Sequence, residues 1–181
     1  GATLAPGASV RVDASRSGQF LSALLAAGAA LAGDAGLEVS AAGPVASEPY
    51  VRLTAAMLRE FGHSVEDEGG AIRVRRGRTC IARYVPRGDW SSAIPLLAAA
   101  AIAGGRVAVG GIAWPPDGLD ADAAAAEVLS RMGAVIEGSP QGVSLSAADG
   151  ALRGLDVSAT SFPDAVPALA ACAAFADGET R

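Results

Sequence analysis

The chain has 181 residues, 51% of them hydrophobic, a mean hydropathy of +0.35 and a net charge of −5. This length suits one large domain or parts of two, with enough apolar content to bury a core. Two cysteines, one histidine and an acidic balance argue against a disulfide framework, a zinc cluster and a general nucleic-acid binder. All fourteen basic residues are arginine, so a step that needs lysine as acid, base or Schiff-base partner cannot be completed by this chain alone. Apolar runs such as 96–103 are too short to span a membrane, and no basic stretch precedes a leader-like segment. The expectation is a cytoplasmic protein with no membrane attachment.

In chain order, residues 10–13 predict a short strand and 19–32 an apolar helix. The helix opens behind Ser15-Arg16-Ser17-Gly18-Gln19. The first N–H groups of a helix lack internal partners, and the helix dipole places positive partial charge there. With hydroxyls, an amide and a guanidinium added, the segment suits a phosphate or carboxylate. A serine cap on a buried helix explains the same residues, so both readings stand. Residues 37–41 predict a second strand and 49–61 an amphipathic helix closed by Gly62. Ser47-Glu48-Pro49-Tyr50 precedes that helix, either capping it or placing a tyrosine beside a ring-shaped ligand. Residues 64–66 and 71–74 predict a hairpin around Glu68-Gly69-Gly70. Arg73, Arg75, Arg76, Arg78, Arg83 and Arg87 read as a solvated face: Arg73 and Arg75 share one face of a strand, but no aromatic residue interleaves with that pair as a nucleic-acid track requires. His63 reads as an exposed turn residue, and Cys80 and Cys172 as core or strand fillers.

Pro86 and Gly88 break the chain at 83–88, and the pattern restarts. Residues 92–103 predict a second apolar helix, 106–110 a strand, 122–132 an amphipathic helix closed by Gly133, and 134–137 with 143–146 a pair of strands. Phe61-Gly62 matches Met132-Gly133, and Leu24-Leu25 matches Leu96-Leu97, a repeat of roughly seventy residues. A third round opens with a strand at 155–158 and a helix at 164–176. Ser92 and Asp164 are expected caps, each with a proline three residues on. An Asp at such a helix start could also serve as a general base towards a substrate hydroxyl. The chain therefore reads as an α/β protein built from a repeated helix–strand–helix–strand–strand unit. It begins at Gly1 and ends at Arg181 in what reads as the entrance to a further strand, so the expectation is a segment of a longer protein.

Four segments in order, 15–25, Ser47-Glu48-Pro49-Tyr50, Gly88-Asp89-Trp90-Ser91-Ser92-Ala93 and Phe162-Pro163-Asp164-Ala165-Val166-Pro167, resemble the 5-enolpyruvylshikimate-3-phosphate synthase family. The resemblance runs the length of the chain. It implies the two-domain enolpyruvyl transferase fold, only partly covered, with residues 1–86 ending one globular domain and 87–181 beginning the other. It implies transfer of the enolpyruvyl group of phosphoenolpyruvate to the 5-hydroxyl of shikimate 3-phosphate, with release of phosphate and no metal or organic cofactor. Carried over by position, Ser17, Gly18, Gln19 and Ser47 belong to the shikimate 3-phosphate site, and Gln19 also lies near phosphoenolpyruvate. Tyr50 lies beside the ring, and Asp164 accepts the proton. The expected partners are these two substrates, with no nucleic acid and no membrane. The longer parent is expected to be monomeric, and this segment alone inactive.

Two departures stand out. Gly18 replaces the second of two serines usual in the family, and a hydrogen bond to a charged group lost there costs about 1.5–3 kcal/mol if nothing replaces it. Glu48 places negative charge where the family often has a basic or neutral residue. Asp120-Ala121-Asp122 stands in place of a Gln-Gly-Asp, and no role is carried onto it. Other readings are a same-fold UDP-sugar enolpyruvyl transferase, an RNA 3′-phosphate cyclase, for which His63 is a poor catalytic histidine, and a non-catalytic binder of a phosphorylated metabolite.

Overall fold

A computed structural model describes residue 5 and residues 7–79, 81–147 and 149–181. Cys80 thus lies outside the described residues. The chain divides into two compact units, Gly1–Tyr84 and Val85–Arg181.

In the first unit, β1 (Ser9–Val12) leads through residues 13–18 into α1 (Gln19–Leu31), followed by β2 (Leu37–Ala41) and α2 (Glu48–Glu60). A hairpin of β3 (Ser64–Asp67) and β4 (Ala71–Arg75) completes it. The sheet order is β1-β2-β4-β3; β1 and β2 are parallel, with Val10 opposite Val39, and the other pairings are antiparallel. Leu21, Leu25, Leu37, Val39, Val51 and Val74 are buried together, so α1 and α2 lay their apolar faces on this sheet. At Gly28 a Cβ would stand 2.6 Å from Val74 Cγ1 and 2.9 Å from Leu37 Cβ, so the missing side chain lets α1 approach the strands closely.

The second unit repeats the plan. Here α3 (Trp90–Ala103) and α4 (Ala124–Arg131) accompany β5 (Arg106–Gly110), β6 (Val135–Ser139) and β7 (Gly142–Ser146), and these strands form an antiparallel sheet ordered β5-β7-β6. That order matches β2-β4-β3, which is what duplication of one unit requires. A one-turn 3₁₀ helix, Pro163–Ala165, leads into α5 (Val166–Ala174). Ile94, Leu97, Leu129, Met132, Leu145 and Cys172 centre this core.

Three local expectations are corrected. Residues 155–158 form no strand; the Val157 N–H donates to the Arg181 carbonyl, and the Arg181 N–H to that of Leu155. The cap of α3 is Asp89, not Ser92, so Pro95 falls inside the helix. Burial of Trp90 extends the helix two residues beyond the start that proline placement suggested. Asp164 caps nothing: its helix is entered through the 3₁₀ turn without a side-chain cap. Among the clustered arginines, Arg73 is ion-paired with Glu38 and Glu68, Arg75 with Glu66 and Arg87 with Asp117. His63 is half-buried, and its Nδ1 accepts the Gly77 N–H at 3.1 Å. Among the described residues no helix is long and apolar enough to cross a membrane.

Candidate functional site

Because β1 and β2 are parallel and each runs directly into a helix, the N-termini of α1 and α2 emerge at the same edge of the sheet. The two connecting loops are tied together. The Ala42 N–H donates to the Val12 carbonyl at 2.9 Å, and the Ala46 N–H to that of Ala14 at 3.0 Å. Ala14 is fully buried beneath them. This edge therefore presents two sets of N-terminal N–H groups, a setting that favours anions.

Ser17, Gly18 and Gln19 form the entry to α1. Gly18 occupies the capping position in helical geometry without a side-chain cap, so the expected serine cap is absent. The hydroxyls are used otherwise. Ser17 Oγ accepts the Gln19 N–H at 3.2 Å, and the Ser15 N–H donates to Asp13 Oδ1 at 2.9 Å. Hydrogen bonds from Ser15 hold the Asp13 carboxyl below its ordinary range. Ser17 is half-buried, and Gln19 and Arg16 are exposed.

Ser47 stands at the N-cap of α2 with φ 53° and ψ 41°, the only non-glycine residue at positive φ among those described. A serine held left-handed costs about 1–2 kcal/mol. Its side chain makes no capping bond; instead its carbonyl accepts the Tyr50 N–H at 3.1 Å. The hydroxyl is thus left for something other than its own helix. Tyr50, half-buried, lies in the first turn. Glu48 pairs with Arg52 one turn on, at 3.6 Å, and sits at the positive end of the helix dipole, both of which temper its charge.

Sequence reasoning missed what joins these pieces. A Cβ at Gly18 would stand 2.7 Å from the Ala46 carbonyl oxygen and 2.9 Å from Val51 Cγ2. The glycine therefore lies flush against the turn that carries Ser47. The structure brings Ser17, Gly18, Gln19, Ser47 and Tyr50 to one edge of the first unit. A cleft of about 490 Å³, lined in part by Leu21, Val45, Glu48, Val51 and Arg52, opens beside them.

Asp164 belongs to the second unit, exposed on its 3₁₀ turn between buried Phe162 and Ala165. Those anchors fix the turn and leave the carboxylate in solvent. Two other carboxylates of this unit serve the start of α3. Asp89 accepts the Ser91 and Ser92 N–H groups, and the Ser92 hydroxyl above all holds its carboxyl below the ordinary range. Asp120 accepts the Asp122 N–H and faces that of Trp90, yet burial outweighs both and pushes its carboxyl up. Asp122 is almost completely buried. Asp120 and Trp90 line a cleft of about 320 Å³ with Arg87 and Asp117, which are themselves paired.

Comparison with known proteins gives a consistent result. The family model for EPSP synthase (3-phosphoshikimate 1-carboxyvinyltransferase) matches residues 2–181. The chain is 39% identical over 177 residues to the 3-phosphoshikimate 1-carboxyvinyltransferase of Xenorhabdus nematophila, covering 96% of this chain and 40% of that protein. It is 36% identical over 175 residues to that of Methanothrix thermoacetophila, again covering 96% and 40%. Among solved structures, an EPSP synthase from Acinetobacter baumannii superposes with a TM-score of 0.67 at 27% identity, over 95% of this chain and 39% of that one. The enolpyruvyl transferase NikO from Streptomyces tendae gives 0.67 at 20% identity, over 98% and 44%, a likeness of fold alone. The chain thus spans about 40% of the length of the curated relatives it matches. With its repeated units, its paired helix N-termini and a family match over nearly every residue, the chain belongs to the EPSP synthase family.

Proposed function

We propose that this chain forms part of a cytoplasmic 3-phosphoshikimate 1-carboxyvinyltransferase and supplies its shikimate 3-phosphate cradle. The observation that carries this reading is Ser47, held in a left-handed conformation with its hydroxyl withheld from its own helix. Strain kept at one residue is a pointer to a functional position. Ser17, Gln19 and Ser47, with the N–H groups of α1 and α2, hold the 3-phosphate; Tyr50 lies along the ring. The first unit closes one globular domain of the synthase, and the second opens the other.

In the reaction, the 5-hydroxyl oxygen of shikimate 3-phosphate bonds to C2 of phosphoenolpyruvate. The C2=C3 double bond opens as the hydroxyl proton passes to the Asp164 carboxylate, and C3 takes a proton from a general acid of the intact enzyme. The resulting tetrahedral intermediate loses a C3 proton while its C2–O bond to phosphate breaks, which restores the enol double bond and frees phosphate. Preorganised N–H donors need no reorganisation as the phosphates are bound and released. The test is release of inorganic phosphate from phosphoenolpyruvate by the intact protein that carries this chain. Release that requires shikimate 3-phosphate supports the reading. Release that requires a UDP-sugar instead, or none with any acceptor, contradicts it.

A further inference from the structure

Towards the C-terminal ends of α1 and α2, away from the cradle, the first unit has a second cleft of about 500 Å³. Ala26 and Ala30 of α1 and Leu58 of α2 give it an apolar wall, and His63, Arg76 and Arg78 give it a basic rim. Among the described residues, those that line it include no carboxylate.

The chain holds this rim in place. The Arg76 N–H donates to the Gly33 carbonyl at 3.1 Å, and the Gly77 N–H donates to His63 Nδ1 at 3.1 Å. A Cβ at Gly77 would stand 1.7 Å from the Gly62 carbonyl oxygen, so the backbone there passes directly against the turn that ends α2. The segment after β4 is thus pinned across the loops that follow both helices, and its arginines are set beside the cleft before any ligand arrives. With Nδ1 accepting, neutral His63 carries its proton on Nε2, which is then a donor.

Arg73, Arg75 and Arg87 each pair with a carboxylate of the chain. Arg76 does not: among the described residues its guanidinium makes no hydrogen bond or ion pair, although it lines a cleft. Guanidinium forks match the two oxygens of a carboxylate. The alanine and leucine wall suits a hydrocarbon body, which a bare inorganic anion lacks.

We propose that this cleft is a binding site for a small monocarboxylate with an apolar body. Arg76 and Arg78 take the carboxylate, and Ala26, Ala30 and Leu58 take the hydrocarbon. The site is separate from the cradle, since Leu58 lies ten residues along α2 from Glu48, about 15 Å of helix. It does not rest on the synthase reading.

Calorimetric titration of the intact protein that carries this chain tests it, with cyclohexanecarboxylate as the probe and cyclohexanecarboxamide as its neutral match. The carboxylate should bind with a Kd below about 1 mM, and the amide on the order of tenfold or more weaker. Saturation with shikimate 3-phosphate should leave the affinity for the carboxylate within about twofold, because the two ligands occupy opposite ends of the helices. Arg76→Gln should weaken the carboxylate on the order of tenfold, and Arg106→Gln, an exposed residue of the second unit, should change nothing. Arg76 is exposed, so its replacement leaves the fold intact. An Arg76 that serves only the C-terminal dipole of α1 lowers the melting temperature and leaves carboxylate binding as it was. No binding of the carboxylate, equal binding of the amide, displacement by shikimate 3-phosphate, or full affinity in Arg76→Gln overturns the site.

Discussion

Thr54 Oγ1 donates to Ser22 Oγ across 3.0 Å and to the Tyr50 carbonyl oxygen at 2.9 Å, sharing one proton between them. Ser22 lies one turn into α1, and Tyr50 lies in the first turn of α2. The bond therefore locks the two helices together immediately behind the edge where their N-termini meet. Thr54→Val keeps the volume and removes the bond, leaving a half-buried Ser22 hydroxyl without it. The first unit should lose about 1 kcal/mol in denaturant unfolding, with an unchanged slope.

Ser47→Gly separates stability from binding. Glycine takes the left-handed conformation without penalty, so unfolding free energy should rise by about 1 kcal/mol. Shikimate 3-phosphate affinity should fall on the order of tenfold, because the hydroxyl is gone. Denaturant unfolding and calorimetry on one preparation check both signs.

The start of α3 makes a pH prediction with two opposite signs. The Asp89 carboxyl is held below its ordinary value of 3.8, chiefly by the Ser92 hydroxyl. Its contribution is present above that value and is lost as pH falls through the lowered one. Asp89→Ala should cost about 1 kcal/mol at pH 7, and the difference should shrink in acid. The Asp120 carboxyl is pushed above its ordinary value of 3.8 by burial. Its contribution is present below that value and is lost as pH rises through the raised one. Asp120→Asn, which keeps an acceptor for the Asp122 N–H, should therefore stabilise the second unit at neutral pH and lose that advantage in acid. Denaturant unfolding at pH 7 and at low pH separates the two.

Asp164→Ala should leave stability unchanged, since the carboxylate is exposed and caps no helix. In the intact synthase it should lower kcat by about 10²–10⁴, as loss of a general base does, with a smaller effect on KM for shikimate 3-phosphate. Phosphate-release kinetics check this; full turnover removes Asp164 from the mechanism.

Much of this fold was legible because apolar spacing and glycine stops agree. Residues 37–41 and 106–110 were placed to the residue, and the order β5-β7-β6 repeats β2-β4-β3 as the matched Phe61-Gly62 and Met132-Gly133 imply. Where the reading failed, a tertiary contact decided. Nothing local in 155–158 shows that its hydrogen bonds go to Arg181, and nothing near Ser92 shows that burial of Trp90 moves the cap to Asp89. The candidate residues of the first unit were legible as types at helix starts. The close approach at Gly18 was not, since the Ala46 carbonyl it meets comes from a loop 28 residues away.

In the proposed cradle the N-termini of α1 and α2 together hold one phosphorylated ligand. Its most direct measurement is titration of the isotope-labelled chain with shikimate 3-phosphate, following backbone amide resonances. The largest shifts are expected at residues 17–22 and 47–51 in concert, with one shared midpoint that moves to higher ligand concentration in Ser47→Gly. Shifts confined to one helix, or absent from both, would contradict it.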